Sequence, residues 1–176
     1  MTVASLPDPA IHQAIGIDPA VKGISIVLLK GREYDWHWFE PPKSKRGMDT
    51  WGKTEALMEE LRCKLGNGEL AQVPTTVPVF IESPMVGPNA RTTLDLAGVF
   101  ALVRDAFHGR SFKTFPVASS TWKKDILGQG NANKERVKEL LLLAHPELPA
   151  TERDDFYDAY CIAQWGRRSL EMMGAG

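Results

Sequence analysis

The chain has 176 residues, of which 43% are hydrophobic and 24% charged, and its formal net charge is −1. This length suits one well-buried core and is too short for two ordinary domains, and the composition excludes a disordered chain. No apolar run is long enough to span a membrane, and the N-terminus lacks the pattern of a signal peptide. We therefore expect a cytoplasmic protein with a flexible arm at 1–12 and a single domain at 13–172.

The distribution of basic residues bears on whether the chain binds nucleic acid. Domains that do so are usually basic, so the charge of −1 counts against that class without excluding it. Cations bound by a few of the carboxylates would leave the rest of the surface positive. The basic residues form three clusters, at 43–46, 122–124 and 134–138. Each cluster alone is more typical of a solvated face than of a DNA contact.

The first part of the chain predicts an antiparallel meander. Apolar and alternating runs predict three strands, at 13–18, 23–29 and 33–40, with a turn at 19–22. In the third strand Tyr34, Trp36 and Trp38 alternate with polar residues, which indicates one buried and one exposed face.

The rest of the chain alternates helices with short strands. Apolar runs predict strands at 79–82 and 111–117, and helical periodicity predicts helices at 49–65, 89–108, 119–127, 133–144 and 151–172. Three strands followed by alternating helices and strands predict an α/β fold, in which a five-stranded mixed sheet is flanked by helices. Ligand sites in such sheets gather at strand ends.

Four carboxylates lie where this fold could bring them together. Asp18 and Glu82 each follow a buried apolar run, where a carboxylate is unfavourable unless it is paired or binds a metal. Asp155 and Asp158 are three residues apart on the apolar side of the last predicted helix, so both should point toward the sheet. The pattern at 151–154 resembles a capping box, which leaves these two acids without a capping role.

Each acid alone has an ordinary structural explanation, but the set of four indicates a metal site. Carboxylate oxygens suit Mg²⁺ or Mn²⁺. The two cysteines and four histidines occur singly, without the spacing of a zinc site. Pairs of oxygen-ligated ions cleave phosphodiesters by clamping the attacking and leaving oxygens.

The same acids belong to three motifs: Ile15-Gly16-Ile17-Asp18-Pro19, Glu82 followed by Asn89-Ala90, and Asp155-x-x-Asp158-Ala159. A basic segment lies between the last two, where Lys123 is followed by Gly128-x-Gly130-x-Ala132-x-Lys134. With these motifs in this order, the chain resembles the RuvC-type Holliday junction resolvases from about residue 14 to 166. That family has the ribonuclease H-like fold.

The resemblance implies a role for each matching residue. Two Mg²⁺ ions, for which Mn²⁺ would substitute, would be bound by Asp18, Glu82, Asp155 and Asp158. Lys134 would act with these acids in catalysis, because the family's basic segment brings lysines to the active site. Lys123 and Lys124 of this segment would contact DNA. Lys43, Lys45 and Arg46 are further candidate DNA contacts, on the ground of their charge and not of the resemblance.

Some features depart from the family pattern. The family carries a bulky residue shortly after the second carboxylate, on a loop that enters the junction. Here that loop is 83–88, and Met85 is the candidate wedge. The strand with Trp36 and Trp38 and the basic loop at 43–46 match nothing in the family pattern. These differences are typical of a divergent member, such as a phage-borne one.

The implied activity is a magnesium-dependent endonuclease that resolves four-way DNA junctions. Such junctions are two-fold symmetric, so paired nicks predict a homodimer. The helix at 89–108, with Leu94, Val99 and Leu102, is the candidate interface, although the same pattern fits ordinary core. One alternative is another ribonuclease H-like nuclease that acts on RNA-DNA hybrids or on branched or flap DNA. A second alternative is a junction-binding protein without catalytic activity.

Overall fold

Residues 13–41, 49–151 and 153–174 are described by a computed structural model. The predicted arm at 1–12 and the basic loop residues Lys43, Lys45 and Arg46 lie outside these described residues. None of the helices in the described part is long and apolar enough to cross a membrane.

The predicted five-stranded mixed sheet is confirmed. Its strands are β1 (Gln13–Ala20), β2 (Gly23–Lys30), β3 (Glu33–Phe39), β4 (Val79–Glu82) and β5 (Thr114–Val117). They lie in the order β3-β2-β1-β4-β5, with β2 antiparallel to both of its neighbours and with β1, β4 and β5 parallel. Consequently β1, β3, β4 and β5 all end at the same side of the sheet, which we call the C-terminal side.

Five α-helices flank the sheet: α1 (Thr50–Asn67), α2 (Ala90–His108), α3 (Ser119–Leu127), α4 (Lys134–Ala144) and α5 (Asp155–Gly174). Three of them begin after a short polar side chain that accepts a hydrogen bond from the first turn, and these caps are Asp49, Asn89 and Asn133. The predicted starts of α1, α2 and α4 therefore agree with the structure to within one residue.

Three predicted boundaries are wrong. Strand β1 continues through Pro19 to Ala20, because β4 pairs with β1 only at 15–17 and requires no backbone donor from Pro19. Strand β5 begins at Thr114 rather than at 111. The last helix begins at Asp155 rather than at 151, because the Tyr157 hydroxyl donates to the Pro149 carbonyl and accepts from the Thr151 amide. These two bonds hold 149–151 as a loop, so no capping box forms there.

Each face of the sheet has its own hydrophobic core. On one face, which we call the aliphatic face, Ile15, Ile17 and Ile26 pack with α1 and α2. The buried stripe of α1 contains Leu57, Leu61 and Leu65, as predicted. The other face, which we call the α5 face, is packed by α3, α4 and α5 around Trp122, Tyr157 and other large side chains. Because strand side chains alternate, every second residue of β1 faces α5.

Candidate active site

The sheet register brings Asp18 and Glu82 to neighbouring positions. Ile17 of β1 pairs with Ile81 of β4, and both are buried in the aliphatic face. The next residue on each strand is the carboxylate, so Asp18 and Glu82 lie on the α5 face at the C-terminal side of the sheet. Two acids that are 64 positions apart in sequence are thereby adjacent in the structure, as predicted.

Helix α5 approaches β1 closely at Gly16. A Cβ atom at this position would lie 2.2 Å from the Ala159 carbonyl oxygen and 2.3 Å from the Ala163 nitrogen, so only glycine fits. This approach places the first turn of α5, with Asp155 and Asp158, beside the end of β1. The Asp158 side chain is buried, and that of Asp155 is about a quarter exposed. The prediction that both acids point toward the sheet is confirmed.

Strand β3 supports the start of α5. The rings of Tyr34 and Trp36 lie 5.5 and 5.0 Å from that of Phe156, one residue after Asp155. Arg153 lies with its guanidinium carbon 4.5 Å from the Trp38 ring centroid and also pairs with Glu40. Tyr34 and Trp36 therefore pack against the helix that carries two of the acids, and Trp38 contacts the segment just before that helix.

Three of the four acids line a cleft of about 300 Å³ at the C-terminal side of the sheet. Its polar wall includes Asp18, Glu82, Asp158, Ser119, Lys123 and Lys134. Its apolar wall comes from the loop after β4 and from α2, and consists of Met85, Leu96 and Phe100. The predicted carboxylates and both predicted active-site lysines thus meet in one region.

Burial and mutual repulsion make the charged form of two acids unfavourable. Burial raises the pKa of Asp18 well above its usual value, and the nearby charges of Asp158 and Glu82 raise it further. Burial also raises the pKa of Asp158 to about 7, with the attraction of Lys134 opposing this change. One oxygen of Asp158, Oδ1, is buried without a hydrogen-bond partner. The site therefore contains unbalanced negative charge that favours a cation.

Lys134, at the first position of α4, lies among three of the acids. Its ammonium donates to Asp155 Oδ1 and lies 3.7 Å from Asp158 Oδ2 and 3.9 Å from Asp18 Oδ2. Burial acts to lower the pKa of Lys134, but the hydrogen bond to Asp155 and the charges of Asp18 and Asp158 outweigh it, so the pKa is raised. Lys134 is therefore charged at neutral pH and serves as the counter-ion of the cluster.

Glu82 has different partners. Its Oε2 accepts a hydrogen bond from the Trp122 indole nitrogen at 2.8 Å. Burial raises the pKa of Glu82, while the hydrogen bonds from Trp122 and Ser119 and the charge of Lys123 lower it. The sequence placed Trp122 only in a basic cluster and gave no indication of this contact.

The chemistry of this donor set fits a hard divalent cation. All four acids supply oxygen ligands, and the buried orphan Oδ1 of Asp158 lacks the partner that a buried polar atom requires. Within the described ranges no group of three or more His, Cys, Asp or Glu side chains is arranged to hold an ion as it stands. The Lys134 ammonium lies among three of the acids, so ion binding requires this lysine to move.

Some of the other predicted site residues line the cleft or its edge, and others lie outside it or in the core. Lys123 donates to the Ala132 carbonyl at 2.9 Å and lines the cleft, whereas Lys124 is exposed on α3 outside it. Met85 is 66% exposed at the cleft edge, as a wedge requires. On α2, Leu94 is 72% exposed, but Val99 is buried in the aliphatic core and Leu102 packs against that core. Val99 is therefore core, which is the alternative that the same pattern allowed, while an interface at Leu94 and the partly buried Leu102 stays a prediction.

Comparison with known proteins gives one consistent result. No protein-family profile matches the chain. The crossover junction endodeoxyribonuclease RuvC of Chlamydia trachomatis serovar L2 is 26% identical over 154 residues, which cover 85% of this chain and 87% of that protein. The protein of the same name from Cupriavidus pinatubonensis is 27% identical over 157 residues, which cover 86% of this chain and 83% of the relative.

Solved structures of Thermus thermophilus RuvC have the same fold. The structure in complex with a Holliday junction substrate superposes with a TM-score of 0.68 at 15% identity, covering 90% of this chain and 97% of that chain. A second structure gives a TM-score of 0.64 and covers 92% and 96%. The sheet order and these superpositions identify the fold class of the chain as ribonuclease H-like. Within that class the chain is similar to RuvC in sequence and in fold, which confirms the resemblance to the RuvC-type resolvases.

Proposed function

We propose that this chain is a structure-selective endodeoxyribonuclease that resolves four-way DNA junctions during recombination and repair in the cytoplasm. The observation that carries the proposal is one cleft lined by Asp18, Glu82 and Asp158 together with Lys123 and Lys134. The fourth acid, Asp155, contacts Lys134 at the edge of this cleft. The relatives named RuvC, and the neighbour solved with a Holliday junction substrate, support a branched DNA substrate.

The metal-binding residues would be Asp18, Glu82, Asp155 and Asp158. Two Mg²⁺ ions held there, for which Mn²⁺ would substitute, would supply an activated water and stabilise the leaving 3′ oxygen. Lys134 would then exchange carboxylate partners for the phosphate and stabilise the charge that develops on it. Because its amine carries three donors on a flexible stem, this exchange requires only side-chain rotation.

Other residues would hold the DNA. Lys123 lines the cleft beside Glu82 and would contact the backbone of the cleaved strand. Met85 would enter the junction from the cleft edge, and Lys124 would contact the flanking duplex. Lys43, Lys45 and Arg46 follow shortly after β3 in the sequence, and β3 ends at the C-terminal side of the sheet. These basic residues would extend the contact along one arm.

The two-fold symmetry of the junction calls for a homodimer that makes paired nicks. Leu94 on α2 is exposed near Met85 in sequence and would lie in the interface. Sedimentation velocity of Leu94→Glu should then show monomer where the wild type is dimer. Leu143→Glu is the matched control, since Leu143 is 81% exposed on α4. An unchanged oligomeric state of Leu94→Glu would remove Leu94 from the interface.

The decisive experiment is cleavage of a labelled immobile four-way junction, compared with a linear duplex and an RNA-DNA hybrid, in Mg²⁺ and in EDTA. Metal-dependent paired nicks on the junction alone, lost in Asp155→Asn, would establish a resolvase. Asp154→Asn is the matched control, because Asp154 precedes Asp155 and pairs with Lys138 rather than Lys134. It should cleave as the wild type does.

Other outcomes of the same experiment identify the alternatives. Cleavage of the hybrid or the duplex would support the acidic site as the catalytic centre, but it would identify the protein as a ribonuclease H-like nuclease with a broader substrate range. Junction binding without cleavage in any metal would assign a binding protein without catalytic activity. Equal loss of cleavage in Asp154→Asn and Asp155→Asn would mean that both substitutions act through α5 stability and not through a ligand.

A further inference from the structure

The Trp122 side chain joins α3 to the second carboxylate of the cleft. It is fully buried, and its indole nitrogen donates to Glu82 Oε2 at 2.8 Å. A second link lies beside it, because the Ser83 amide donates to the Val117 carbonyl at 2.8 Å, two residues before α3 begins. The Ser83 hydroxyl also donates to the Val117 carbonyl, at 3.1 Å, and Ser119 of α3 hydrogen-bonds Glu82. Both main-chain and side-chain bonds therefore join the end of β4 to the segment that leads into α3.

Glu82 needs such a partner to face the other acids. It is the last residue of β4, its side chain has three rotatable bonds, and it is only half buried. The charges of Asp18 and Asp158 repel it, so an unrestrained side chain would turn toward solvent. A hydrogen bond to a charged acceptor, made by a donor that no water reaches, is strong enough to oppose this.

We propose that Trp122 is a positioning residue that holds the Glu82 carboxylate in the orientation required for binding a divalent cation. This inference rests on the proposed metal-dependent function. The indole nitrogen is a donor only and does not titrate, so Trp122 acts through the geometry of Glu82 and not through proton transfer. Groups that orient a metal ligand in this way typically contribute 10- to 100-fold to metal affinity.

The chain contains a matched pair for testing this role. Trp165 of α5 donates through its indole nitrogen to Asp125 Oδ2, also at 2.8 Å, but this pair lies outside the cleft. Trp122→Phe and Trp165→Phe each remove one indole-carboxylate hydrogen bond and keep an aromatic ring. Trp122 is fully buried and Trp165 half buried, so Trp165→Phe controls for the loss of an indole-carboxylate hydrogen bond, and the free energy of unfolding of each variant reports the effect of lost packing.

The experiment measures Mn²⁺ binding without DNA, by the electron paramagnetic resonance signal of the free ion. Trp122→Phe should bind Mn²⁺ about 10- to 100-fold more weakly than the wild type, and Trp165→Phe should bind normally. Junction affinity in EDTA should be equal in all three proteins. The Mg²⁺ concentration for half-maximal cleavage should rise in Trp122→Phe alone.

The outcomes separate this inference from the proposed function. Equal Mn²⁺ affinity of the wild type and a folded Trp122→Phe would overturn the role of Trp122 and leave the metal site intact. Absence of Mn²⁺ binding in the wild type would overturn both. If Trp122→Phe does not fold, the NMR resonances of the indole N–H groups in the wild type test the proposal instead. Saturating Mg²⁺ should shift that of Trp122 but not that of Trp165, and an unshifted Trp122 resonance would overturn the proposal.

Discussion

Helices cover both faces of the sheet, more extensively on the α5 face, and the two faces contain different kinds of side chain. The aliphatic face has a continuous core of Ile, Leu, Val and Phe against α1 and α2. The α5 face combines large aromatic residues with the buried acids Asp18 and Asp158. Burial on the aliphatic face contributes only stability. The α5 face also holds buried charges, which oppose folding and which we propose act in metal-dependent cleavage.

The largest effect should come from Gly16→Ala, which acts on the approach of α5 to β1. The new methyl group would overlap the Ala159 backbone, so α5 must move away from the strand. We expect a loss of about 3 kcal/mol or more in the free energy of unfolding, measured by urea denaturation, and loss of cleavage.

Gly66→Ala is the control, because Gly66 lies in α1 with nothing within 4 Å of a new Cβ. It should stabilise by roughly 0.5–1 kcal/mol. Equal responses to the two substitutions would remove the special role of Gly16.

Asp158→Asn should stabilise the protein, in contrast to Gly16→Ala. It removes a buried charge that is repelled by Glu82 and Asp155 while keeping the shape of the side chain. In EDTA at pH 8 the free energy of unfolding should rise by roughly 1–3 kcal/mol, and cleavage in Mg²⁺ should be lost. A less stable variant would show that the attraction between Asp158 and Lys134 outweighs burial and repulsion.

The pH dependence of the free energy of unfolding should differ between the wild type and Asp158→Asn. The pKa of Asp158 is about 7 in the folded state and 3.8 in the unfolded state, so the folded protein binds this proton more tightly. The stabilising contribution is complete below about pH 4 and is lost as the pH rises through 7. Without metal, the advantage of Asp158→Asn should therefore shrink as the pH falls from 8 to 4. A difference that stays constant over this range would show that Asp158 has an ordinary pKa.

Ile26→Val tests the aliphatic face alone. Ile26 is fully buried there, and loss of one methylene should cost about 0.5–1.5 kcal/mol in thermal or urea unfolding. Cleavage per folded molecule should not change, since no acid contacts this face. A fall in cleavage rate comparable to that of an acid variant would break the proposed division between the faces.

Met85→Ala should have the smallest effect on stability. The side chain is 66% exposed, so the free energy of unfolding should change by less than about 0.5 kcal/mol. Its expected effect is on the substrate: distortion of the junction centre, followed by 2-aminopurine fluorescence, should decrease. Val86→Ala is the neighbouring control, since Val86 is 91% exposed but does not line the cleft.

The sheet, the helices and the four acids could be predicted from the sequence because their signals are local. Asp18 and Glu82 stand out as charges at the ends of apolar runs, and Asn89 and Asn133 mark helix starts. Periodicity could not distinguish core from interface, so it allowed both for Val99, which lies in the core. The contact between Trp122 and Glu82 spans 40 positions, and a tryptophan on an amphipathic helix is usually core. Contacts of this kind depend on tertiary packing and have no local signal.

Two of the four acids lie on α5, so the order of synthesis decides when the site can form. The N-terminal strands emerge from the ribosome first, whereas Asp155 and Asp158 lie close to the end of the described chain. Until α5 docks on β1, Asp18 and Glu82 have no partners with which to form a centre that could cut DNA. Contacts across about 140 residues also form late, because closure of a long loop is slow. The proposed nuclease site is therefore incomplete in any nascent chain whose α5 has not yet docked on β1.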